Sequence, residues 1–456
     1  MSIEEWAGRW DMGAPVRAAQ AVTTLERSKA PDVREVEVFL RATQTDRITF
    51  AGRDLQAAAR TRAIGAAVRV WRDDGRVGQS WTEDLSLDGL RTARDEAALL
   101  GTCGVPNQRS RQPAEPTIVE NRFVGPTTEQ LALKAKLDLV RETVERARAV
   151  PEVAALPAMW LEDTATAAAV VLDGSILSAQ ALTDTHLTVL LRARTPTDAP
   201  DASAYGMTRA RRLVELDPTA AVAEALEQAR ALGDRAPLPA GCYDLVIQPS
   251  AIAYLLSTVG SLLAADAGRT GRGRAWGIGE RVGSDRLCLV DDPLRLDGPA
   301  SCSADAEGTP TRPRFLVEKG VVTALLHTRD SGPGGNAVRD DHRADVQAGI
   351  TNLMLQPTNA DVAELTRQAP DAIWVQAAHG FPPPGTPVSR DLRLILEGWR
   401  MRGGELCEPV RATLPGTVMS LLAGMDSATD DYRFFPSAGT GAGCTVLFRD
   451  QTLVAN

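Results

Sequence analysis

The sequence predicts an α+β fold, in which an N-terminal antiparallel sheet covered by helices is followed by a mixed, β-rich C-terminal domain. Three observations carry this. Val36, Val38 and Leu40 alternate with Glu35, Glu37 and Phe39, and Ala66, Val68 and Val70 share one face ahead of the turn residues Asp73-Asp74-Gly75, the pattern of a hairpin-connected meander. Between such runs, apolar residues recur at helical spacing, as in Leu90, Ala93, Ala97 and Leu100, so helices and sheet pack in layers. Beyond residue 240, short strand-like runs dominate around one apolar helix.

In chain order, Val16, Ala19, Val22 and Leu25 predict an opening helix that ends before Pro31. The alternating run at 35–40 is followed by a second short strand at Arg47–Phe50, and Val77–Trp81 returns as the hairpin partner of 66–70. Ser86 is placed to cap the helix carrying Leu90, Ala93, Ala97 and Leu100 inward, with Gly101 at its end. Residues 104–126 hold four prolines among polar residues and read as a surface connection, after which Thr127-x-x-Gln130 forms a capping-box pattern. The helix behind it buries Leu133, Leu137, Val140, Val144 and Ala147, and Pro151 stops it. Ala168-Val170-Leu172 and Leu187-Val189-Leu191 predict a hairpin around Asp173-Gly174, and Thr195–Ala204 reads as a polar loop. Asp217-Pro218 then opens a helix with Val222, Leu226 and Ala229 inward, closing at Gly233.

A domain boundary near residue 235 divides the chain into 1–235 and 236–456. The second domain opens with the strand Tyr243–Ile247 and the helix Ser250–Asp266, whose Ile252, Leu255, Leu256, Val259, Leu262 and Leu263 form one buried stripe. The glycine-rich, basic stretch AGRTGRGRAWGIG follows a helix and lacks the third glycine of a dinucleotide loop, so it reads as a flexible, lid or subunit-contact loop. Leu287–Val290, Phe315–Val317, Leu392-Leu394-Leu396 and Thr445–Phe448 predict further strands, and Thr417–Met425 a helix.

Composition narrows the function. A chain of 456 residues, 44% of them hydrophobic, fills the cores of two domains or more. A net charge of −9 argues against a nucleic-acid partner, because a phosphate backbone needs a positive field. No apolar run approaches the ~20 residues that span a bilayer, and MSIEEWAGRW has no signal-peptide core, so the expected location is the cytoplasm, with no membrane partner. The six cysteines form no C-x-x-C pair and read as scattered, buried small hydrophobes.

Several segments together resemble the TldD/PmbA family of modulator peptidases. They are GAAVRVWRDDGRVGQSWTEDLSLDGLRTA; the helix at 250–266; Asp291-Asp292-Pro293 followed by Asp305-Ala306-Glu307-Gly308 and the turn Glu318-Lys319-Gly320; and GGNAVRDDHRADVQAGITNLMLQPTN. The resemblance covers nearly the whole chain and implies the family's two-domain fold. In the family's metal-bearing branch, the equivalent helix carries His-Glu-x-x-x-His, two zinc ligands and a base for water. Aligning Leu255-Leu256 places Ser257 and Thr258 at the His-Glu positions and Leu262 at the second His. A third ligand, a cysteine in the family, falls near Phe434 downstream of Gly424-Met425-Asp426. The chain is therefore similar to the metal-free TldE/PmbA-type branch, with no cofactor of its own and zinc expected in a partner subunit.

That resemblance implies a noncatalytic subunit, paired with a zinc-bearing TldD-like chain, that shapes a cleft for a peptide. Asn336, Arg339, His342 and Asn352 are the candidates for holding it, since arginine clamps carboxylates and asparagine bonds an extended backbone. The paired carboxylates around 291 and 305 suggest acid and base work or, more simply, turns. His186, His327 and His379 show no ligand spacing. Two other readings stay open: a subunit handling an amide-bearing specialised metabolite, and a stand-alone amide hydrolase using Ser257, Ser261 or Cys444. A homodimer is the other assembly open to the chain.

Overall fold

The computed structural model describes residues 10–24, 32–103, 133–194, 201–232, 236–268, 276–358, 360–382 and 390–455. The connection at 104–126, the capping box at 127–130, Leu25, the helix end at Gly233 and most of the glycine-rich stretch lie outside them.

Among the described residues, the first half forms a six-stranded antiparallel sheet in the order β3-β2-β1-β4-β5-β6. Its strands are β1 (Val33–Ala51), β2 (Asp54–Arg72), β3 (Val77–Thr82), β4 (Val153–Leu172), β5 (Ser175–Ala193) and β6 (Ala202–Ala210). The two short runs expected at 35–40 and 47–50 are one 19-residue strand. Its polar middle is satisfied within the sheet and by a helix: Thr43 pairs with Thr166, Thr45 with Thr164, and the buried Asp46 accepts from Lys136 at 2.5 Å. The expected loop at 195–204 is corrected at its end, where Ala202 already pairs with Ala193 as the first residue of β6.

Helices α1 (Gly13–Thr23), α2 (Leu87–Gly101), α3 (Leu133–Ala149) and α4 (Pro218–Ala231) cover one face of this sheet. Ser86 caps α2 by accepting from Gly89 N, and Asp217 caps α4 by accepting from Thr219 N and Ala220 N. Leu90, Ala93 and Ala97 face the core as expected, whereas Leu100 is 54% exposed, one position past the buried stripe that ends at Gly101. The other face of the sheet, bearing Glu37, Phe39 and Ala67, is buried against the second half of the chain.

In that second half, a seven-stranded mixed sheet runs in the order Met425–Ala428, Val446–Ala455, Gly241–Ile247, Ile373–His379, Asp391–Arg402, Glu405–Thr417 and Ala236–Pro237. A six-stranded sheet built from shorter strands runs from Val321–Val322 through Arg314–Glu318, Leu289–Asp291, Leu353–Leu355 and Gly441–Gly443 to Arg433–Phe434. Helix α5 (Pro249–Leu262) lies between the two sheets. All six residues of its expected stripe are at most 1% exposed, a burial worth on the order of 10 kcal/mol. Gly441–Gly443 presses on α5 so closely that a Cβ at Gly443 would lie 1.7 Å from the Pro249 carbonyl oxygen. Of the cysteines, only Cys444 is buried, while Cys103, Cys242 and Cys407 are exposed on strand ends and a helix end, which corrects the expectation of buried thiols. No helix among the described residues is long and apolar enough to cross a membrane.

Candidate functional site

One stripe of α5 faces the N-terminal sheet, and two cavities lie along it. The first, about 410 Å³, touches Ser257, Gly260 and Ser261 of the helix, Thr166 and Ala168 of β4, and Gln180–Leu182 of β5. The second, about 790 Å³, touches Ser250, Ala251 and Tyr254 of the helix, Trp160 and Glu162 of β4, and His186 and Thr188 of β5. Helix and hairpin thus line both in the same order, so the two cavities lie end to end along α5 as a groove in two parts. Ser437–Gly439 separates the parts. Tyr254 donates to Ser437 Oγ at 2.5 Å, Ser257 Oγ donates to the Ala438 carbonyl, and Arg209, held by Asp184, donates to the Gly439 carbonyl at 2.8 Å. Helical rise makes the stretch from Ser250 to Ser261 roughly 16 Å long, the span of roughly five extended residues.

The wide end is aromatic. Trp160 meets Tyr205 edge to face with ring centroids 6.4 Å apart, and Tyr254 stacks on Phe381 at 6.1 Å. The narrow end is charged, with Arg41, Arg339 and Asp340 among its lining residues.

Of the residues that the resemblance set against zinc ligands, Ser257 alone lines this groove, and none of the four fits the ion. Ser257 lines the narrow end with its hydroxyl engaged by Ala438, Thr258 Oγ1 donates to the Tyr254 carbonyl at 3.0 Å, and Leu262 is core. Phe434 offers only a hydrocarbon ring. Among the described residues, no three His, Cys, Asp or Glu side chains gather closely enough to hold a metal ion.

The four candidates for substrate binding are dispersed. Arg339 lines the narrow end of the groove, and the other three are not among its lining residues. Asn336 accepts from His327 N through its side chain at 3.4 Å, pinning a turn. His342 is buried over Gly65 of β2, edge to face with Trp81, and burial lowers its pKa. Asn352 is wholly buried and clamps the 292–301 loop, donating to the Asp292 carbonyl at 2.7 Å and Ser301 Oγ at 2.9 Å while accepting from Ala300 N at 3.3 Å.

The paired carboxylates build turns. Asp291 accepts from Thr351 N, Thr351 Oγ1 and Asn352 N, each at 2.9 Å, and burial pushes its pKa up to about 6. Asp305 accepts from the backbone of Glu307, Thr309, Gly335 and Ala337, and burial beside Glu307 raises it too. Sequence reasoning missed Arg41 and Gln180 as groove residues. The one available signal was a charged side chain two positions on from Phe39, on a strand face with no assigned cover.

Residues 240–454 match the PmbA/TldA metallopeptidase C-terminal domain, and residues 36–100 match domain 1 of the same peptidases. The chain belongs to the PmbA/TldD family. A metalloprotease of Methanothermobacter thermautotrophicus is 28% identical over 218 residues, which is 45% of this chain and 47% of that protein. A metalloprotease of Synechocystis is 28% identical over 173 residues, covering 36% and 37%. The aligned regions thus span half or less of these curated relatives. The fold of this PmbA/TldD member is shared with a protein of Thermotoga maritima described as a modulator of a DNA gyrase, at TM-score 0.81 and 20% identity over 99% of this chain and all of that one. It is shared equally with TldE of Thermococcus kodakarensis, at TM-score 0.81 and 16% identity over 96% of this chain and all of that one.

Proposed function

We propose that this chain is the noncatalytic, metal-free subunit of a heteromeric TldD/TldE-like peptidase of the cytoplasm, and that it shapes the peptide groove for a zinc-bearing TldD-like partner. The observation that carries this reading is the α5 stripe. It faces a groove of peptide dimensions, yet presents Ser257, Gly260 and Ser261 there, with no imidazole or carboxylate. A chain that keeps the groove and lacks the groups that polarise a carbonyl and activate water contributes binding and leaves the chemistry to a partner. The hydroxyl of Ser257 is spent on the Ala438 carbonyl, and the narrow end has no histidine among its described lining residues to act as its base, which disfavours a stand-alone serine hydrolase.

The test is to purify the full chain alone and together with a His-Glu-x-x-x-His homologue from its own genome. Stoichiometry and cleavage are then measured on an unfolded peptide and on small amide-bearing metabolites. The expected result is a stable mixed complex that cleaves peptide and a silent isolated chain. Metal-independent turnover by the chain alone, or no association at micromolar concentration, would overturn the assignment. Turnover of a small amide with none of peptide would move it to the metabolite reading.

A further inference from the structure

Arg339 follows the short strand Ala337–Val338 at the narrow end of the groove and is 7% exposed. Its guanidinium stands 5.0 Å over the Phe39 ring, and none of its three nitrogens has a hydrogen-bond acceptor among the described residues. Five N–H donors buried without an oxygen partner are a large cost, because a desolvated cation loses both its water and its hydrogen bonds. The nearby carboxylates are committed elsewhere. Glu37 takes two bonds from Arg69, at 3.0 Å each, and Glu307 takes one from Arg69 and another from Arg329 N. A second cation shares the wall: Arg41 donates through one nitrogen to the carbonyls of Arg339 and Asp340, and through Nε to Thr43. Asp340 is the one acidic side chain among the described residues of this lining, and the rest is mainly small and apolar, including Ala168, Ala181, Leu182 and Ile350. Two cations against one carboxylate suit a monoanion with an apolar body. A phosphate dianion would exceed the net charge of this wall and meet Asp340, whereas a carboxylate matches a guanidinium fork in charge and shape.

We propose that Arg339 is the carboxylate-binding residue of this groove, so that the chain captures its ligand by an anionic end, the C-terminal carboxylate of a peptide laid along α5. The choice of a peptide rests on the groove being the cleft of the reading above. The anion site itself belongs to this chain and is tested without any partner.

The experiment is calorimetric titration of the isolated full-length chain with three peptides: acetyl-trialanine as the free acid, the same peptide as its C-terminal amide, and an amidated peptide with a central aspartate. The free acid is expected to bind about tenfold or more tightly than the amide, the difference a charge-assisted bidentate contact makes. Arg339→Met is expected to abolish that preference and Arg339→Lys to keep part of it. The methionine variant removes a buried cation with no partner, so it is expected to fold with a raised melting temperature, which keeps the binding result readable. If the aspartate peptide alone binds, the ligand is a side-chain carboxylate and the proposed C-terminal capture is overturned. Equal binding of acid and amide, binding of neither, or wild-type acid binding by Arg339→Met overturns it. Acid binding with no complex formed with the zinc-bearing homologue would overturn the heteromeric reading and leave this site intact.

Discussion

Arg69 of β2 and Glu307 of the 305–308 turn meet at 2.5 Å in the seam between the N-terminal sheet and the second half of the chain, with both side chains at most 4% exposed. Arg69 is also forked onto Glu37 of β1, so one guanidinium joins two neighbouring strands to a loop more than two hundred residues away. Glu307 in turn accepts from the Arg329 backbone at 2.6 Å. This cluster holds the charged face of the sheet against the loop that frames the narrow end of the groove.

Removing Glu307 should therefore cost far more than losing a surface pair. Glu307→Ala is expected to lower stability by about 3–5 kcal/mol, because Arg69 stays buried with part of its compensation gone. The double variant Arg69→Met, Glu307→Leu is not expected to recover that loss, since Glu37 is then left buried without the guanidinium that forks it. Urea denaturation of the three proteins gives both numbers. An alanine variant within about 1 kcal/mol of the parent would show that the pair does not hold the seam.

Asp291 sets a pH dependence with a definite sign. Its folded pKa of about 6 lies above the unfolded value of 3.8, so between these the folded state holds the extra proton and stability falls as pH rises. The group's contribution is full below the unfolded pKa and gone above the folded one, a change of roughly 3 kcal/mol. In Asp291→Asn, one amide oxygen keeps both backbone donors and the amide nitrogen donates to Thr351 Oγ1. The variant is expected to match or exceed the parent at neutral pH and to lose this part of the slope between about pH 4 and 6. Denaturation midpoints across that range decide it, and an unchanged slope would assign it to other groups.

Gly443 tests how α5 is seated. A Cβ there would lie 1.7 Å from the Pro249 carbonyl oxygen and 3.0 Å from Ala253 N, both backbone atoms that no rotamer change relieves. Gly443→Ala should force the start of the helix away from its neighbouring strand and cost about 2–4 kcal/mol, in the range of severe core overpacking. Thermal denaturation measures it, and a melting temperature within a degree or two of the parent's would show that the helix end gives way freely.

The proposed metal-free state is open to direct measurement. After incubation with zinc and gel filtration, elemental analysis of the isolated chain is expected to give far less than one zinc per chain, because a tight site needs about four ligands and the positions facing the groove supply hydroxyls and hydrocarbon. A stoichiometric value would locate ligands this arrangement does not contain.

What was legible in the sequence was what local physics decides. Period-two alternation at 35–40 and 66–70, the caps Ser86 and Asp217, the turns at Asp73-Asp74-Gly75 and Asp173-Gly174, and the stripe of α5 all depend on neighbours within a few residues, and each stands in the structure. The misreadings also have local causes. The polar middle of β1 looked like a break because its partners, Thr164, Thr166 and Lys136, are about ninety residues or more away. Leu100 looked buried because it continues an apolar spacing that the helix end abandons.

The sequence by itself therefore determined the fold class, the core helix and the absence of ligand-type side chains on its groove-facing stripe. Only the tertiary structure decided which polar residues share a site. It put Asn352 and Asp291 to work bonding the same loop and turn, buried Glu37 beneath Arg69, and left Arg339 beside Arg41 at the narrow end of the groove. The reason is physical: a polar side chain's role is set by whether an acceptor reaches it across the fold, and that pairing between distant segments leaves no period or motif in the chain.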